Sequence, residues 1–150
     1  MMLQTKSIIT AAACVLAFSL LSFKGDKDAL HKKVYVLQVN EMKDGQPKSK
    51  KPMEDELEFK DGKVISNILM DKHQFKWIKY TITKDSTYEE EGEQKHWMEA
   101  MASTTNENNE LIEITVKVDG YDIEGKYKLS KKDVQKKLYE FTGKEKAKKK

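Results

Sequence analysis

The chain is 150 residues long, with 38% hydrophobic and 35% charged residues, 7 Gly, 2 Pro and a net charge of +3. This length fits one domain, and the composition is too apolar and too patterned for a disordered chain. All 28 basic residues are lysine; without the guanidinium fork that grips phosphate and carboxylate, nucleic-acid and phospho-ligand partners are not expected.

The first 25 residues read as a secretory signal peptide. Lys6 is followed by an uncharged run, residues 7 to 23, and the charged stretch Lys24, Gly25, Asp26, Lys27 ends it. The run sits at the lower edge of what spans a bilayer, so an uncleaved anchor is the alternative. The single cysteine, Cys14, lies inside this run. Apolar residues follow it where an acylated chain needs a polar tether, which argues against a lipid anchor. Cleavage after Cys14 leaves a mature chain with no disulfide, thiol nucleophile or thiolate ligand. The expected location is exported, either periplasmic or secreted.

From residue 34 to residue 143 the pattern has period two, punctuated by turn signals. Residues 34–42 form the first predicted strand, closed by Asp44-Gly45 and a basic loop. Residues 54–60 and 63–70 are predicted as a hairpin about Asp61-Gly62, a dipeptide suited to a type I′ turn. Residues 75–83 form the next strand, turned by Lys84-Asp85-Ser86. A short strand at 87–90 is broken by Glu91-Gly92-Glu93, and residues 95–104 follow. Asn106 to Asn109 make a polar turn. Residues 111–118 and 121–129 form a second clear hairpin about Asp119-Gly120. Gly125, within that last strand, marks a sharp bend or a close backbone approach. Residues 131–142 are ambiguous between a helix capped at Ser130 and a strand that closes the meander; the strand is preferred because the first strand needs a partner. The segment 144–150, with five lysines and one glutamate, is expected to be a disordered basic tail capable of weak contact with an anionic membrane surface.

About eight strands joined by short turns give an all-β, antiparallel up-and-down meander, with the domain at 26–143, and closure removes exposed strand edges. The string D-E-L-E-F-K-D-G-K-V at 55–64 resembles the second hairpin of small exported bacterial proteins with lipocalin-like barrels. So does the series of Trp97, I-T-V-K-V-D-G-Y-D-I-E-G and Y-E-F-T-G. The resemblance implies an eight-stranded lipocalin-like barrel with room for a hydrophobic small molecule, although the G-x-W signature of lipocalins proper is missing from 34–42.

Phe75, Trp77, Tyr80, Trp97, Tyr121, Tyr127 and Phe141 are the candidates for lining such a cavity. A barrel of eight strands is just wide enough to fill with side chains or to hold one small ligand, and the sequence leaves both open. The three histidines, His31, His73 and His96, have no metal-ligand spacing. The acidic run 89–93 lacks the spacing of a calcium loop, and Glu99 is the one carboxylate expected on a face with Trp97 and Met101. No phosphate loop or nucleophile elbow is present. The expected function is therefore a non-enzymatic barrel, without metal or cofactor, binding a small hydrophobic ligand. The alternative is a cell-envelope structural or protein-interaction module with a filled core.

Overall fold

A computed structural model describes residues 28–147. The predicted signal segment, residues 1–25, and Cys14 lie outside these residues, as do 148–150. All the strands lie in the unit that begins at Lys32. Among the described residues no helix is long and apolar enough to cross a membrane.

The strands are β1 (Val34–Lys43), β2 (Gln46–Pro47), β3 (Met53–Lys60), β4 (Lys63–Ser66), β5 (Ile78–Glu90), β6 (Glu93–Thr105), β7 (Glu110–Asp119), β8 (Asp122–Lys131) and β9 (Val134–Glu145). One short helix, α1 (Asn67–His73), separates β4 from β5. Every pairing is antiparallel. The two-residue β2 folds back on the end of β1, and the other eight strands follow one another in order. β1 then pairs with β9 from Tyr35↔Glu145 to Met42↔Leu138 and closes the meander into a barrel-like ring. The ambiguous segment at 131–142 is thus a strand through most of its length.

Alternation places one set of side chains inward from each strand. β1 gives Tyr35, Leu37 and Val39; β3 gives Leu57 and Phe59; β7 gives Ile112, Ile114, Val116 and Val118, all buried. Burying each such side chain contributes roughly 1.5–3 kcal/mol. Two-residue turns set the registers. Asp44-Gly45, Asp61-Gly62 and Glu91-Gly92 have positive φ at both positions, as a type I′ turn requires. Lys132 and Asp133 adopt the same geometry without glycine.

Four expectations need correction. Residues 63–70 are not one strand: β4 stops at Ser66, whose hydroxyl accepts the Leu69 N–H at 3.2 Å and caps α1. The helix ends at Gln74 in the left-handed region (φ 59°), where the Gln74 and Phe75 amides return to the Met70 and Leu69 carbonyls.

Residues 84–86 are not a turn. β5 runs through them with a bulge between Ile82 and Lys84, because β6 offers pairing partners as far as Glu93.

The last-named hairpin turns on Gly120-Tyr121, since Asp119 pairs with Asp122. Only Gly120 of those two has positive φ (63°), which fits a type II′ turn with glycine first.

Closure also leaves part of one edge. β5 meets β4 at only two positions, Val64↔Ile78 and Lys63↔Lys79, although it continues to Glu90 beside β6.

Candidate functional site

The interior is built from rings. Tyr35 meets Phe59 edge-on at 6.0 Å between centroids, and Phe59 meets Tyr80 at 5.2 Å. Tyr127 lies 4.9 Å from Phe141 and 6.3 Å from Tyr139. Tyr35, Tyr127, Tyr139, Phe59 and Phe75 are all fully buried. Of the seven candidate lining residues, the fold brings Phe75, Tyr80, Tyr127 and Phe141 inside. Trp77 and Tyr121 are 41% and 57% exposed. Tyr121 rides on its turn and donates to Glu93 at 2.9 Å. Trp97 faces outward with Glu99 and Met101, while Met98 and Ala100 fill the inner positions. The three do share a face, but it is the outer one.

Two residues with no candidate role in the sequence reading organise the seat of α1. Asp55 on β3 is 3% exposed and Ser66 is 1% exposed. The Asp55 carboxylate accepts from the Ser66 hydroxyl (2.6 Å), the Tyr127 hydroxyl (3.0 Å), the Ile68 N–H (3.1 Å) and the Glu56 N–H (2.8 Å). Burial, and then the Asp55 charge, pushes the Tyr127 hydroxyl well above the usual phenol range, so it stays a donor. Ser66, Asp55 and Tyr127 are too deeply buried to meet a substrate, and their hydrogen bonds are spent on α1 and the ring. Nothing in the sequence near Asp55 marks it, because all its partners but the adjacent Glu56 amide lie 11 to 72 residues away.

The other end of α1 is held by His73. Its Nε2 lies 3.0 Å from the Tyr139 hydroxyl, and its carbonyl accepts from the Asn106 amide at 2.9 Å. Burial, with Glu41 adding to it, pushes the Tyr139 hydroxyl up to about 12. Neutral His73 therefore accepts and Tyr139 donates. Burial holds the His73 pKa below 6.5, helped by Lys137 and Lys72 and opposed by Glu110 and Glu41. A depressed histidine makes stability complete above its unfolded value near 6.5 and erodes it as pH falls toward the folded value. Urea unfolding at pH 7.5 and 5.5 should show lower stability at the acid end. His73→Gln should reduce that difference, and an unchanged difference would remove His73 as its source.

The Tyr35 hydroxyl is the one buried side-chain polar atom without a partner among the described residues. Burial and the Glu145 charge raise its pKa, so it is a neutral phenol.

Concave surface occurs on the outside of the ring. One groove of about 670 Å³ lies over the outer side chains of β6 to β9 and β1, among them Gln38, Thr115, Lys126 and Thr142. A second, of about 690 Å³, runs from Trp97 to Val36 past Asp119, Asp122 and Lys144. Cross-strand register alternates charge here: Glu99 opposes Lys117, and Lys117 opposes Glu124. Such exposed pairs contribute under about 1 kcal/mol each. No three His, Cys, Asp or Glu side chains converge on a metal position among the described residues.

Comparison of the chain with protein-family models, curated proteins and solved structures gives no match.

Proposed function

We propose that this chain is an exported, non-enzymatic interaction module in which the ring is a solid support and the outer surface does the work. The observation that carries this reading is the aromatic interior, with Tyr127 packed between Phe141 and Tyr139 and joined through Asp55 to the helix. A container for a drug-sized ligand needs a largely preformed cavity of some hundreds of Å³. The two grooves of that size described above lie outside, over the outer strand faces, where charged and apolar side chains mix.

Export rests on the signal-like first 25 residues, and kinship with small lipocalin-like barrels rests on the eight-stranded closed meander. The lysines of the C-terminal segment add weak attraction to anionic membrane surfaces, about 1 kcal/mol for each one near the surface.

Native mass spectrometry of protein purified gently from its source tests the filled-core reading. The expected spectrum is a bare polypeptide mass. A retained small hydrophobic adduct would restore the container reading, with Phe75, Tyr80, Tyr127 and Phe141 as its lining.

A further inference from the structure

The unfinished edge of β5 is the feature that the filled ring leaves unexplained. On its β4 side the last backbone bond is from the Tyr80 N–H to the Gly62 carbonyl, at 3.1 Å. Beyond it, residues 81–90 run past the Asp61-Gly62 turn with β6 on one side and no strand on the other among the described residues. At about 3.3 Å per residue this is roughly 33 Å of strand with hydrogen-bonding groups unspent. The bulge at Ile82–Lys84 interrupts it, leaving 84–90 as the regular part.

The side chains along that part are unevenly satisfied. Lys84, Ser86, Tyr88 and Glu90 share one face. There Lys84 lies 3.6 Å from Glu99, Glu90 lies 3.2 Å from Lys95, and Tyr88 donates to Asp119. Asp85, Thr87 and Glu89 share the other face, opposite Met98, His96 and Gln94. Among the described residues the ion-pair partner of Asp85 is His96 at 3.2 Å, which carries charge only when protonated. Glu89 has no ion-pair partner among the described residues. A strand added here meets two under-compensated carboxylates four residues apart on one face.

We propose that the open edge of β5 takes an extended basic peptide as an added antiparallel strand, with lysine or arginine at two positions four apart facing Asp85 and Glu89. Main-chain bonds supply the affinity in this mode and the alternate side chains supply the selection. The proposal rests on the outer surface being the working part of the protein, and it names the partner for one stretch of that surface.

The test uses the full chain and a capped nine-residue peptide of alternating threonine and valine, with lysine at positions 3 and 7. Affinity is read by fluorescence anisotropy and the site by amide hydrogen exchange. The lysine peptide should bind and slow exchange within residues 84–90. A version with glutamate in place of lysine should not. The double variant Asp85→Lys/Glu89→Lys should bind at least about tenfold more weakly while keeping its melting temperature, since both side chains are exposed. Binding without new protection on 84–90, equal binding of the glutamate peptide, or no binding at millimolar peptide each overturns the proposal. So does an edge already protected in a dimer of the free protein. A bare native mass with no peptide binding would sink this inference and leave the filled-core reading standing; a lipid-like adduct would sink the latter.

Discussion

Replacing Asp55 with Ala is expected to lower the free energy of unfolding by about 3–5 kcal/mol, a large share of the roughly 5–15 kcal/mol typical of a folded domain. The side chain is small, and lost packing accounts for little of this. The cost arises because four donors, the hydroxyls of Ser66 and Tyr127 and the amides of Ile68 and Glu56, lose their common acceptor together. Each buried donor left without a partner costs roughly 1–3 kcal/mol, moderated where water reaches it. The loss is also directional. Hydrogen exchange should accelerate in α1 ahead of the far strands, since Asp55 ties the first turn of the helix to β3 and β8. Asp55→Asn keeps one acceptor oxygen and should fall between wild type and Ala. A loss under about 1 kcal/mol in Asp55→Ala would show that α1 is seated by its apolar residues alone.

The second large effect is expected from a single methyl group. Glycine within a strand is ordinarily a weakness, and changing it to alanine ordinarily recovers about 0.5–1 kcal/mol. At Gly125 the sign reverses. A Cβ there overlaps the Thr115 carbonyl oxygen and comes within 2.7 Å of Phe141 Cζ. The first obstacle is backbone held in the β7–β8 ladder, so the strand itself must move. Gly125→Ala should cost about 2–4 kcal/mol and lower the melting temperature by roughly 10 °C. Gly143 is a matched case, with the Val36 carbonyl oxygen in the way. A neutral or stabilising Gly125→Ala would mean that β7 and β8 are not held this close in solution.

Gly125 was legible in the sequence because glycine in an otherwise regular strand has few explanations. The strand rhythm was legible for a similar reason: a period of two survives any uncertainty about which strand lies where. What could not be read was phase. Trp97 and Met98 are adjacent and both apolar, and only the packed interior decides that Met98 turns in and Trp97 out. One inserted residue at the β5 bulge changes the phase for everything after it, so 84–86 looked like a turn. Tyr121 alternates with Ile123 and Tyr127 along the sequence, but the turn falls at Gly120-Tyr121, one residue later than the Asp-Gly signal, and takes Tyr121 out of the strand. The helix was hidden because V-I-S-N-I-L-M satisfies a strand as readily as a helix. Ser66 becomes a cap only when Asp55, far back in the chain, supplies an acceptor beside it.

The pairing of β1 with β9 also bears on the order of events in folding. Most other junctions of the ring join strands that follow each other directly, and a turn of two or a few residues brings them together. β1 and β9 stand at the two ends of the domain, and Val36 meets Lys144 only after nearly the whole chain has been laid down. The entropy of closing so long a loop is lost before its contacts return anything. Until that happens, β9 presents a bare edge opposite β8, and β1 presents one opposite β3. The final zippering of these two strands is thus both the slow step expected of this topology and the moment at which these two edges stop being templates for neighbouring chains.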